Sequence, residues 1–330
     1  MNTATTYLGL TLPHPFMVGA SPMATNLDAV RRLEDAGCAA LVMHSLFEEQ
    51  ITGTHAGLIR HMDPLDEQFA RGLAVFPALR DYRLTPDDYV AHLQRVKAHV
   101  HMPVIASLNG TTAENWLKYA RLLEEAGADA LEVNMYEVVT DLSVPGLAIE
   151  TLLRDLVLEL KRVLTIPIAV KLSPFFSAFG NVARQLDRAG ADGLVIFNRF
   201  YQPDIDIQHM TAVPTLVLSH HDELLLRLRW LAILHGRVKA SLALTGGIET
   251  PADGIKAILA GAHAVQLVSA VLRHGAGYIQ TMREGLEHYL DWQDIPSVDE
   301  MRGRVSLATV ADADAFERAN YIRALHSWQA

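Results

Sequence analysis

Lys171 closes the apolar run Ile166-Pro167-Ile168-Ala169-Val170. An ammonium at the inner end of a buried strand is costly unless an anion meets it. The residue therefore reads as a cofactor or substrate contact, as a Schiff-base nucleophile, or as a side chain snorkelling out to water. Asn134 and Asn198 end two further apolar runs, and each amide can donate to and accept from a planar heterocycle or else close a turn. Gly246-Gly247 and Ser269-Ala270 follow two more runs. Small residues there can turn backbone N–H groups toward a phosphate, the alternative being a tight turn that needs positive φ. Ala20-Ser21, His44-Ser45 and Ser107 to Asn109 complete the set of run ends. His220-His221-Asp222-Glu223 has metal-ligand residue types, but adjacent side chains on a helix start point apart, so it reads as a cap and solvated face and no metal is expected.

The elements that must position these residues announce themselves as a repeat. Ala36-Gly37, Ala126-Gly127, Ala189-Gly190 and Ala260-Gly261 each lead into a short apolar run, as a helix end with glycine past it leads into a strand. Between them lie Pro15-Phe16-Met17-Val18, Pro103-Val104-Ile105-Ala106, Pro167-Ile168-Ala169-Val170 and Ala240-Ser241-Leu242-Ala243-Leu244. Eight near-continuous apolar strands result, with helical patterns over 86–99, 113–126, 149–164 and 251–260 between them. The pattern predicts an α/β fold, a closed (β/α)8 TIM barrel, since an open doubly wound sheet lacks its GxGxxG after the first strand. One domain over 1–330 is expected, with the barrel at about 6–290 and a C-terminal extension at 296–330. Connections 46–85, 136–148 and 199–236 follow strands and so belong over the C-terminal mouth, where barrels keep their chemistry.

The 330 residues are 50% hydrophobic and 20% charged, with 28 Lys and Arg against 38 Asp and Glu. A net charge of −10, with no Lys or Arg before Arg31, excludes a nucleic-acid or anionic-lipid footprint and leaves small molecules as partners. The lone Cys38 precludes an internal disulfide or a CxxC site, and neither a basic signal region nor an apolar run of membrane-spanning length occurs. A cytoplasmic protein is expected.

The opening Tyr7-Leu8-Gly9-Leu10-Thr11-Leu12-Pro13-His14-Pro15-Phe16 with Gly19-Ala20-Ser21 resembles the start of dihydroorotate dehydrogenases, in particular the soluble class 1 enzymes. Similar blocks recur at Val133-Asn134, Val170-Lys171-Leu172, Phe197-Asn198, Thr245-Gly246-Gly247-Ile248 and Gln266 to Ala270, from about residue 6 to 290. The resemblance implies FMN across the mouth, a role in pyrimidine biosynthesis and a homodimer. It puts Ala20 and Ser21 against the flavin, with Ser45, Asn109 and Asn198 among the cofactor-binding residues. Asn134 would bond the ring edge, Lys171 would face the pyrimidine side of the ring, and Gly246, Gly247, Ser269 and Ala270 would hold the phosphate.

On the substrate side the chain departs from the family. His44 stands where members have a lysine, Arg199 where a small hydroxyl residue is expected, and the loop reads Asn134-Met135-Tyr136-Glu137-Val138-Val139. Glu137 takes the position of the family's Cys or Ser base and is the candidate base, with Tyr136 and His44 as rivals; Asn134, Asn198 and Arg199 are the candidate substrate contacts. The leading expectation is an FMN-dependent oxidoreductase acting on dihydroorotate or another small cyclic or anionic compound. A flavin-free aldolase or lyase using Lys171, and a non-catalytic FMN protein relaying electrons to a partner, are the competing readings.

Overall fold

The computed structural model describes residues 1–47, 85–109, 113–134, 138–199, 202–213, 217–311, 316 and 325–326. A two-residue turn at Leu8-Gly9, both with positive φ, joins β1 (Thr5–Tyr7) to β2 (Leu10–Leu12) in an antiparallel hairpin. The parallel strands are β3 (Phe16–Val18), β4 (Leu41–Phe47), β5 (Val104–Asn109), β6 (Ala130–Asn134), β7 (Ile168–Leu172) and β8 (Gly193–Ile196). A second hairpin, β9 (Asp204–Asp206) with β10 (Thr211–Val213), intervenes before β11 (Ser241–Thr245) and β12 (Ala264–Leu267). β11, β12 and β3 to β8 pair in parallel and close on themselves, giving the eight-stranded barrel that the alternating runs predict.

Helices α1 (Leu27–Asp35), α2 (Pro86–His99), α3 (Ala113–Glu125), α4 (Gly146–Val163), α5 (Phe179–Ala189), α6 (Leu224–Leu234), α7 (Pro251–Ala260), α8 (Ser269–His274), α9 (Tyr278–Trp292) and α10 (Val298–Met301) complete the described chain. The four repeat glycines all have positive φ, from 82° at Gly37 to 122° at Gly261, as helix-to-strand turns require. Helix α4 starts three residues before the expected 149, because its first turn is exposed and leaves no burial periodicity to read. The connection 199–236 proves to contain the β9–β10 hairpin and α6 rather than a bare loop. The connection 48–84 lies outside the described residues. Segment 296–310 packs back on the barrel: Asn2 donates to Pro296 O, Gly303 to Ile258 O and Leu307 to Ala232 O.

Two apolar cores form. The larger fills the space between strands and helices; the smaller lies inside the barrel and includes Ala40, Ala130, Ala169, Ala243 and Ala264. Those small interior residues leave room for the β1–β2 hairpin to enter from below with Tyr7, Leu8 and Leu12, all buried. Gly193 leaves room for that plug, since a Cβ there would displace the Leu8 side chain at Cδ2. No helix among the described residues is long and apolar enough to cross a membrane.

Candidate functional site

The residues singled out in the sequence sit at the C-terminal ends of the barrel strands: Ala20 and Ser21 after β3, Ser45 on β4, Asn109 on β5, Asn134 on β6, Lys171 on β7, Asn198 after β8, Gly246 and Gly247 after β11, and Ser269 and Ala270 at the start of α8. Asn134 is the register partner of Lys171, and Asn198 Nδ2 donates to Asn134 Oδ1 at 2.9 Å. Three neighbouring strands thus deliver one cation and two linked amides. Ser45 Oγ and Ser107 Oγ lie 2.8 Å apart. Ser21 Oγ and Asn109 Nδ2 are buried and have no hydrogen-bond partner among the described residues. Unpaired buried polar atoms at a barrel mouth mark places for a ligand to satisfy.

Lys171 does not snorkel. It is 6% exposed and its Nζ donates to Glu132 Oε1 at 3.1 Å. Glu132 Oε2 in turn accepts from Gln266 Nε2 at 2.6 Å. Neither partner stood out from the sequence, though each is a polar residue at the third place of an otherwise apolar strand, Leu131-Glu132-Val133 and Val265-Gln266-Leu267. Such a break in a fully buried strand is the signal that could have found them.

The glycine turn is backed by an arginine. Gly246 and Gly247 have φ of 84° and 77°, and buried Arg227 on α6 donates from Nε to Thr245 O at 2.6 Å and from Nη1 to Glu223 O at 2.6 Å. A Cβ on Gly246 would come to 2.9 Å from Arg227 Nη2. On the other side of the cradle, Ser219 donates from both N and Oγ to Ser269 Oγ, and Arg273 donates to Ser219 O. Burial lowers the Arg227 guanidinium's pKa, against the raising effect of Glu223. The cluster 220–223 keeps a solvated face, with His220 and Asp222 exposed, but it forms a short 3-10 turn with no side-chain cap, and its two histidines reach acidic groups on and before α7. His221 Nδ1 stands 2.9 Å from Asp253 Oδ1 and His220 Nδ1 3.3 Å from Glu249. No metal-binding cluster occurs among the described residues.

Four substrate-side candidates fall differently. Arg199 pairs with Glu223 at 3.5 Å. The pairing register shifts between Val42 and Ser45, and the His44 ring faces α2, 4.9 Å from the Tyr89 ring and 6.2 Å from that of His92. Burial, with His92 nearby, lowers the His44 pKa to about 3, so its imidazole is neutral and a weak base. Glu137 and Tyr136 lie outside the described residues.

The set as a whole, a held cation, linked amides, unsatisfied hydroxyl and amide groups and a glycine turn, suits a planar polar ligand carrying an anionic group. The family model for dihydroorotate dehydrogenase matches residues 85–290. The NAD-dependent dihydropyrimidine dehydrogenase subunit PreA of Escherichia coli K12 is 25% identical over 317 residues, covering 90% of this chain and 75% of the relative. The catalytic subunit of dihydroorotate dehydrogenase B (NAD(+)) is 26% identical over 308 residues in Thermoplasma volcanium, 91% of this chain and 97% of that one. In Methanocella arvoryzae it is 27% identical over 310 residues, 89% and 95%. With a matched span running from α2 to α9 and relatives aligned along nearly the whole barrel, the chain belongs to the dihydroorotate dehydrogenase family.

Proposed function

We propose that the protein is an FMN-dependent oxidoreductase acting on the CH–CH bond of a small cyclic substrate of the dihydropyrimidine kind. The observation that carries this reading is buried Lys171 at the barrel mouth, flanked by the Asn134–Asn198 pair and two strands away from the Gly246-Gly247 turn. Bound FMN would supply the redox chemistry, accepting a hydride (the electron pair with its hydrogen) from one carbon of the substrate's CH–CH bond as the neighbouring carbon loses a proton. The chain's own groups do the rest. Backbone N–H groups of Gly246, Gly247, Ser269 and Ala270 hold the phosphate, while Ser21, Ser45, Asn109 and the two site asparagines meet the ring system beside Ala20. Lys171 sets a positive charge where the reduced ring gains a negative one. Glu137, three residues beyond Asn134 on the loop after β6, takes the proton from the substrate carbon.

The Lys171–Glu132 pair disfavours the aldolase reading, because a Schiff-base nucleophile needs its amine unprotonated and free to attack. Arg199, held by Glu223, reaches a substrate carboxylate only by leaving that partner. For the electron acceptor, the relatives named as subunits favour a partner chain, with a homodimer as the other assembly to test.

The test is direct. The protein as purified should be yellow, release FMN on denaturation, and bleach anaerobically with dihydroorotate or with a dihydropyrimidine lacking the carboxylate. A colourless protein that takes up no FMN would overturn the proposal. A yellow one bleached by neither compound would move the function to electron relay.

A further inference from the structure

Glu132 is 1% exposed in a barrel interior otherwise lined by residues such as Val42, Ile105, Ala169 and Val195. A carboxylate there is costly unless paired and hydrogen-bonded, and both its oxygens are engaged, one by Lys171 and one by Gln266. The strand register gives the pair a direction. Asn134 pairs with Lys171 and Glu132 with Ala169, so Lys171 sits one two-residue layer, about 7 Å of strand, nearer the mouth than its anion. Burial, and then the Glu132 charge, push the Tyr7 phenol in the barrel floor well above the usual range. The site therefore presents to its ligand a cation already paired with a fixed anion rather than an isolated one.

We propose that Glu132 is a positioning residue that fixes Lys171 Nζ at the mouth and partly cancels its charge, so setting how strongly the bound ring system favours its reduced, more negative form. The inference rests on the FMN reading above. Removing a nearby anion favours the species with more negative charge, so neutralising Glu132 raises the reduction potential. The substitution Glu132→Gln keeps the shape: its Oε1 still accepts from Lys171, and Gln266 can turn so that its Oε1, which has no partner among the described residues, accepts from the new amide.

The experiment measures FMN content, thermal midpoint and flavin potential by equilibration with a redox dye, in wild type, E132Q and E132D. E132Q should retain FMN and shift the reduced-to-oxidised ratio at fixed solution potential about tenfold upward, about 30 mV for a two-electron couple. E132D, which draws the charge back by one methylene, should fall between E132Q and wild type, and it carries the test if E132Q does not fold. Flavin-loaded variants with the wild-type potential, whatever their thermal midpoint, reduce Glu132 to a structural role and overturn this inference while leaving the FMN reading intact. A wild-type protein that takes up no FMN overturns that reading and the role assigned here with it.

Discussion

Asn198 donates from Nδ2 to Asn134 Oδ1 at 2.9 Å, joining the ends of β8 and β6 over the strand between them, which carries Lys171. Each amide fixes the orientation of the other, so the pair acts as one recognition unit. Asn134→Ala and Asn198→Ala should each weaken FMN binding by about tenfold, and the double variant by clearly less than the product of the two. Titration of FMN into the four apo-proteins, followed by flavin fluorescence, measures the coupling; strict multiplicativity would mean that the amides work apart.

Lys171→Met should cost stability as well as redox function. It leaves the Glu132 carboxylate buried without its cation, and breaking such a pair costs about 3 to 5 kcal/mol. Adding Glu132→Gln to the same chain should recover most of that loss. Urea unfolding of the apo-proteins measures the cycle, and in the flavin-loaded single variant the potential should fall, opposite in sign to E132Q.

The barrel was open to a reader of the sequence because its strands are mostly buried on both faces, which writes them as near-continuous apolar runs, most of them after an Ala-Gly or Pro signal. Glu132 and Gln266 stand in those runs as single polar breaks, and the sequence does not say which groups they face. His44 stands in sequence where the resembled family has a lysine, but its ring faces α2, next to a register shift between Val42 and Ser45 that the sequence does not announce. Arg227 was illegible because a helix residue meets the strand-end turn at Gly246 through tertiary packing, 19 positions away in sequence.

Gly246→Ala should damage the anion cradle selectively. The position needs a φ of 84°, and the added Cβ would press on Arg227 Nη2, for a strain of about 1 to 3 kcal/mol. FMN affinity should drop while riboflavin, which lacks the phosphate, binds as before. Equal losses for both ligands would place the phosphate elsewhere.

Glu137→Gln should slow anaerobic flavin reduction by the true substrate by about 100-fold or more while leaving FMN bound. Stopped-flow absorbance at the flavin band reads both. Near-normal reduction would pass the proton to Tyr136.

Acid should destabilise the fold well above the carboxylate range. Burial is the main cause that lowers the pKa of His14 to about 4, of His44 to about 3 and of His263 to about 4. Below pH 6.5 the unfolded chain takes up protons that the folded chain refuses, so stability is full above that value and falls as pH drops. Unfolding at pH 5 should bind about three protons on account of these residues, and His44→Gln should remove about one of them. Denaturant midpoints between pH 7 and 5 measure the slope; a flat profile would mean that these imidazoles are charged in the native state.

Among the described residues, the β1–β2 hairpin closes the lower end of the barrel, with Tyr7 and Leu8 as a floor beneath the Glu132 layer, so exchange there is expected to run mainly past whatever occupies the mouth. Ligand binding should then slow deuterium uptake by the amides deep in the barrel as well as by those at the strand ends. A leak in the floor would undo this at a distance: Gly193→Ala, by pushing out Leu8 from below, should restore exchange in a protein whose mouth is still filled.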